Sequence, residues 1–597
     1  MVHFVLTDTP DTSNPNLANL ESSGTLGASS LDVRRVIDNE IEDLYERIRA
    51  RKLDRNNLVP ISKIPVELLS YIFSLVQRKC RHDSREDLGW VVVTHICQRW
   101  RNIALDNPTL WVYIPFHRPK WIPEMTRRSK SATLNIKFND RSFTPSRFST
   151  LRSFLAAHFP RVRSITVYPP SPPDRLIRKL FQDIPARSAQ CLEHLNLRYP
   201  MLFFEKVLID PPCLKKLKIY GTVNWSSKIL TSLTHLILDY GDRIATESPP
   251  IHSEFLDALA RMPALRILHL HHIPLPVPTE ELSSNLSDTV HLSQLKSILL
   301  SGSAPAVCNI LRYISLLEST RIQLALKISM ASDVAAITAL FHGRTSANVP
   351  IKWPLARSLK VSMQEDYAHL TAWSHSSQDT ILHDKLPDYA DFFLNLQLCW
   401  SELLSSTPNR EDIVARAILA MCSALAFRSL TTLIVFSGIE LAGINAESLA
   451  DAFGRQPEVH SVRVEGPALK AFLGFMAAGA QKGNSSKATV NLPSLRYLAI
   501  YSGRFKESWL SVQVLQDILR QRKQFGMKLR QVHFKWCSYI RISDIETMEE
   551  NVHTVTWDNV FSLDSSNSST SEADFDEDES SSSFLTDERH RIATEYF

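Results

Sequence analysis

The sequence predicts a mainly α N-terminal module followed by an α/β solenoid of short repeats, with disordered segments at both ends. Three observations lead there. Ile64, Leu68, Ile72 and Val76 recur at steps of four with Leu69 and Phe73 beside them, the spacing of one wide helical stripe. From residue 162 onward a phrase of the form apolar-x-x-apolar-x-apolar keeps returning, with amphipathic stretches between its copies. The two ends are polar and show no periodic apolar pattern.

Residues 1–30 are rich in Ser, Thr, Asn, Pro and Gly and are expected to be disordered. In 31–59, Ile37, Ile41, Leu44 and Ile48 repeat at 4, 3, 4 among Asp, Glu and Arg, which is the spacing of a short coiled-coil seam. Little more than two heptads make a marginal free coil, so this helix is expected to pack on the next module or on a partner, with self-pairing the lesser reading. Residues 60–116 read as two apolar-faced helices and a hook, Asn107-Pro108-Thr109-Leu110-Trp111. Pro65 suits a first helical turn because its φ already fits, and Glu67 places a carboxylate near the positive end of the helix dipole. The stripe from Ile64 to Val76 is wider than a small bundle needs for its own core, which leaves apolar surface for a partner.

Ile64-Pro65-Val66-Glu67-Leu68, Ile72-Phe73, Ile96-Cys97-Gln98-Arg99-Trp100 and Leu110-Trp111 together resemble the F-box, over about one tenth of the chain. Through that module the substrate receptors of cullin-RING ubiquitin ligases dock on a Skp-type adaptor. The resemblance implies adaptor contacts at Ile64, Pro65, Leu68, Leu69, Ile72, Phe73, Ile96, Cys97, Trp100, Leu110 and Trp111. Ile64 stands where the family usually has Leu, and the charged stretch Arg78 to Leu88 is longer than the usual link. An acidic coil just ahead of the module is similar to an arrangement among fungal members. The plainer reading is a helical hairpin whose aromatics are simply its own core.

In 117–561 the phrase falls at Val162/Ile165/Val167, Leu192/Leu195/Leu197, Leu214/Leu217/Ile219, Leu233/Leu236/Leu238, Leu265/Leu268/Leu270 and Leu295/Ile298/Leu300. It returns at Leu430/Leu433/Val435, Val459/Val462/Val464, Leu495/Leu498/Ile500 and Leu529/Val532/Phe534, with Leu355/Leu359/Val361 as a further candidate strand. The pattern is similar to the strand portion of a leucine-rich repeat, although the spacing is uneven and the closing Asn is mostly missing. A degenerate leucine-rich-repeat-like α/β solenoid is therefore expected, with a doubly wound α/β domain as the rival. Residues 363–420, where Tyr367, Trp373, Tyr389, Phe392, Phe393 and Trp400 break the period, read as an insertion or helical subdomain.

Side chains between and beside the buried positions of the phrase form the candidate substrate face. They are Asn196, Arg198, Lys218, Tyr220, Asp239, His269, His271, Lys360, Phe436, Arg463, Tyr501 and Lys535, a mixture of cations and aromatics suited to an acidic or phosphorylated protein segment. His271-His272 reads as an ordinary surface pair, and no metal site is expected.

Composition narrows the function. Glycine is scarce, 16 residues of 597, and neither G-x-G-x-x-G nor G-x-x-x-x-G-K-[ST] occurs, so no nucleotide cofactor is expected. The eight cysteines are scattered, without a C-x-x-C, which suggests reduced thiols in the cytoplasm or nucleus. The longest apolar runs fall short of the ~18 residues of a membrane span. Coherent catalytic triads and basic-aromatic nucleic-acid patches are not evident, so neither an enzyme nor a nucleic-acid binder is expected. Within the terminal segment 562–597, residues 562–588 hold nine Asp or Glu, twelve Ser or Thr and no Lys or Arg, an acidic disordered tail on a basic body. The expected function is thus the non-catalytic substrate-recognition subunit of an SCF-type ligase, partnered by a Skp-type adaptor, a cullin scaffold and an unidentified protein substrate. The alternative is a scaffold that acts by protein–protein interaction without ubiquitination.

Overall fold

The structure, a computed structural model, describes residues 26–82, 88–138, 145–167, 179–184, 189–197, 211–221, 223–240, 248–276, 289–342, 355–364, 367–375, 392–400, 417–419, 421–422, 429–438, 440, 444–454, 456–478, 490–506 and 510–558. The acidic tail and nearly all of the expected N-terminal lead lie outside them. Packing divides the chain into two compact units, Met1–Leu134 and Asn135–Phe597.

The first unit is built on α1 (Leu26–Asn57), α2 (Val66–His82), α3 (Gln98–Asp106) and α4 (Ile122–Arg128), with a short strand β1 (Tyr113–Pro115). Helix α2 starts where Pro65 ends an extended entry, and the Pro65 carbonyl accepts the first helical bond from the Leu69 N–H at 3.1 Å. Cys97 caps α3, its Sγ accepting from the Trp100 N–H at 3.5 Å. The core is Leu69 and Phe73 from α2, Trp90, Val91 and Val93 from a 3-10 turn at Leu88–His95, Ile103 and Ala104 from α3, and Leu110 and Trp111 from the hook. Trp111 is its keystone. The indole N–H donates to the Ala104 carbonyl at 2.8 Å, the ring meets Trp90 edge-on at 5.0 Å, and the Arg128 guanidinium lies 4.2 Å above it. Along α1 the seam residues Ile37, Ile41, Leu44 and Ile48 are all exposed, so the packing expected for them is not made within this chain.

The second unit is dominated by strands: β2 (Leu134–Phe138), β3 (Val162–Val167), β4 (His194–Leu197), β5 (Lys216–Tyr220), β6 (His235–Asp239), β7 (Ile267–His271), β8 (Val290–His291), β9 (Ser297–Ser303) and β10 (Ile314–Ser315). After these come β11 (Arg321–Ile328), β12 (Ser358–Met363), β13 (Tyr367–Trp373), β14 (Phe392–Trp400), β15 (Thr432–Ser437), β16 (Ser461–Glu465), β17 (Tyr497–Tyr501), β18 (Gln531–Lys535) and β19 (Thr554–Trp557). Each phrase places its last two apolar residues on a strand, and its first lies just ahead of that strand except at Val162, which opens β3. In register they form a dry rung, Ile165, Leu195, Leu217, Leu236, Leu268, Ile298 and Ile322, each at most 2 % exposed. Intervening helices, such as Ala304–Arg312 and Ala468–Ala478, bury their own apolar positions.

This topology corrects the expected fold class of a mainly α module leading into a leucine-rich-repeat-like solenoid with disordered termini. All of these strands except β8 and β10 belong to one mostly parallel sheet, an α/β fold. A solenoid lays each strand beside its predecessor, but here the pairings run β11, β14, β13, β12, β15. Strand β13 is antiparallel to both its neighbours, so the chain skips two places, doubles back to β11 and then leaps to β15. Residues 363–420, expected as an insertion or helical subdomain, include two of these strands, β13 and β14, with Leu370, Ala372, Trp373, Leu394, Leu396 and Leu398 fully buried.

Several strands end in the same way. The residue after β5, β7, β16, β17 and β18 has a left-handed φ: Gly221, His272, Gly466, Ser502 and Trp536. Glycine is required at 466, since a Cβ there would lie 2.4 Å from the Ser437 carbonyl oxygen. The N–H groups of Gly221, Gly466 and Ser502 donate to carbonyls of the neighbouring strand, at 2.7 to 3.0 Å.

Candidate protein-binding surfaces

Helix α2 carries two apolar stripes about 100° apart. One, Leu69 and Phe73 with Gln77, is buried, and the Gln77 amide donates to the Leu110 carbonyl. The other, Leu68, Tyr71, Ile72 and Leu75, follows i, i+3, i+4, i+7 and is exposed: Leu68 by 55 %, Tyr71 by 58 %, Ile72 by 38 % and Leu75 by 43 %. Val66, Val92 and Ile96 are also exposed in this unit.

The residues expected to touch an adaptor therefore separate. Leu69, Phe73, Leu110 and Trp111 are core, each at most 1 % exposed, and no partner can reach them without opening the module. Pro65, Leu68, Ile72 and Ile96 are exposed, while Ile64, Cys97 and Trp100 are half-buried, with the Trp100 ring 5.1 Å from that of Phe73. Sequence reasoning missed Arg99. Its guanidinium donates to the carbonyls of Ser62 at 2.7 Å and Ile64 at 2.6 Å, tying α3 to the entry of α2. One arginine between Gln98 and Trp100 carries no periodic signal that would reveal this.

In the second unit, the face opposite the dry rung carries polar rows. Arg198 lies outside the described residues. Asn196, Lys218 and His269 align in one row and Arg463 and Lys360 fall on its continuation; Asn196, Lys218, His269 and Arg463 are buried, by side chains one strand spacing away on either side. His269 Nε2 lies 3.1 Å from Ser297 Oγ. A second row holds Tyr220, Asp239 and His271, all half-buried, and farther along Phe436, Tyr501 and Lys535. Tyr501 is buried: the Arg463 guanidinium covers its ring at 3.7 Å and pairs with Glu465 at 3.0 Å. Lys218, His269, Arg463 and Tyr501 are thus buried where an open ligand face was expected, Arg463 and Tyr501 by packing on each other. Trp536, missed in the sequence, is 53 % exposed beside this group, with Lys535 Nζ 4.3 Å over its ring. Its left-handed backbone is held by a bond from its N–H to Asp558 at 2.6 Å.

One further row sets like charges side by side: His194, Lys216 and His235 are directly opposite on adjacent strands. Burial, and then Lys216, lower both imidazoles from 6.5 to about 4, against the opposing pull of Glu193 on His194. An unfolded chain restores the ordinary value, so between these limits it binds more protons than the folded one, and stability falls as the pH drops from 6.5 through about 4. The thermal unfolding midpoint is expected to fall across that window, and to fall less when His194 and His235 are both replaced by Gln. Equal pH profiles for the two proteins would contradict this.

No protein-family model matches the chain, and no curated protein matches it. Among solved structures it is similar to one described as the crystal structure of the Rad7 and Elc1 complex in yeast, with a TM-score of 0.24 and 14 % identity over 86 % of this chain and 94 % of that one. A likeness at this level defines neither family nor function. Among the described residues no helix is long and apolar enough to cross a membrane.

Proposed function

We propose that this chain is the non-catalytic substrate-recognition subunit of an SCF-type cullin-RING ubiquitin ligase. Its N-terminal helical unit would dock on a Skp-type adaptor, the adaptor would join it to a cullin, and the polar rows of the sheet would hold a target protein. The observation that carries this reading is the second stripe of α2, apolar and uncovered after the unit has closed its core on the first. A stripe of this spacing is what a partner helix or groove covers. The motif residues that resemble an F-box supply the partner class. Catalysis would come from holding the target near a ubiquitin-charged enzyme, which raises the effective concentration of its lysines.

The test is to purify the full chain with a Skp-type adaptor and a cullin. Recovery of all three in one complex is the expected result. Failure to bind the adaptor overturns the proposal, and an adaptor complex that excludes cullin overturns the ligase half of it.

A further inference from the structure

Two imidazoles and a carboxylate converge where β6 and β7 end. Asp239 closes β6, His271 closes β7, and the parallel register sets them opposite each other, with His271 Nδ1 3.3 Å from Asp239 Oδ1. His272 comes next in the chain. In extended backbone successive side chains point to opposite faces, so it would turn away from His271. Its φ of 54° places it instead in the left-handed region, and its ring centroid lies 4.0 Å from that of His271. A non-glycine residue there is backbone-strained, although His tolerates the conformation better than most. One donor atom from each of the three residues lies within 4.8 Å of the others. All three side chains are half-buried, which leaves one side of the group open.

Two neutral imidazoles and one carboxylate suit a borderline divalent transition ion far better than calcium or magnesium, which take oxygen donors. Donors held at bonds of about 2.1 Å around a tetrahedral ion are about 3.4 Å apart, so side-chain rotation alone would close the group with the strands in place. We propose that Asp239, His271 and His272 form an open three-ligand site for a zinc-class divalent ion, its remaining position taken by water or by a donor from a bound protein. The ion would clasp β6 to β7 at the strand ends. Lys218, two residues before the position opposite Asp239 along β5 and so on the same face, is a nearby cation that opposes binding and limits affinity. The site does not depend on the adaptor reading, since all three ligands lie in the second unit.

Cobalt(II) is the probe. Full-length protein freed of metal with a chelator and titrated with Co²⁺ is expected to gain, at one equivalent, the visible absorption of a four- or five-coordinate ion without a thiolate charge-transfer band, and Zn²⁺ is expected to bleach it. His272→Asn, which keeps a residue tolerant of the left-handed backbone, and His271→Gln should each weaken binding at least about tenfold with an unchanged circular dichroism spectrum. The proposal is overturned by a spectrum of six-coordinate aquo ion only, by a thiolate band, or by His272→Asn and His271→Gln both binding as the parent does.

Discussion

Replacing Leu68 and Ile72 together by Asp is expected to abolish association with a Skp-type adaptor while leaving the unfolding midpoint unchanged. Both side chains are exposed in the free chain, by 55 % and 38 %, so folding gains little from them. Leu68 lies in the first turn of α2, where added negative charge is favourable to the helix dipole. In a complex the two would be buried, and loss of two such anchors removes on the order of 2 kcal/mol each. Placing two carboxylates in the apolar contact adds a desolvation cost, so affinity should fall by more than about a thousandfold. Calorimetric titration of the adaptor into parent and variant measures this. Retained affinity, or a fall in midpoint matching the loss of binding, would show that the stripe belongs to the fold instead.

Trp111→Ala is expected to do the opposite and open the first unit. Trp111 is 0 % exposed and its indole fills the space between Trp90 and the Arg128 guanidinium. Truncation leaves a cavity and removes the only partner that the described contacts give the Ala104 carbonyl through a side chain. Buried Trp→Ala changes cost about 3–5 kcal/mol. At about 4 kcal/mol, globally opening amides of α2 and α3 should exchange with deuterium roughly a thousandfold faster, with those of β15 to β18 unchanged. Acceleration of less than about tenfold would mean that the hook is dispensable to the packing.

The apolar rungs of the sheet were legible in the sequence because three buried positions per phrase are a local pattern, set by the alternation of a strand and the approach to it. Strand order was not. Which strand lies beside β11 depends on pairings between distant segments, and nothing local in Tyr367 to Trp373 says that it will run antiparallel between β12 and β14. The alternation of Leu394, Leu396 and Leu398 with Asn395 and Gln397 is a strand signal, but the aromatics around it break the repeat phrase. In the first unit the excess of apolar surface on α2 was legible, but its division was not: Leu68 and Leu69 are chemically identical neighbours, and only the packing of Phe73, Trp90 and Trp111 decides which one is covered. The rows of cations were placed on the right strands, yet their burial comes from cross-strand neighbours such as Tyr501 over which Arg463 folds. Asp239 and His271 are 32 residues apart and meet only through register, while His272 joins them only through its left-handed turn.

Side-chain hydroxyl-radical footprinting of the full chain, alone and with a Skp-type adaptor, tests the partner surface most directly. Leu68, Tyr71, Ile72 and Leu75 should be reactive in the free protein and protected in the complex, while Ile251 and Leu355, exposed by 70 % and 71 % in the second unit, should react equally in both. Unchanged reactivity along Leu68 to Leu75 when the adaptor is present would contradict a docking role for α2.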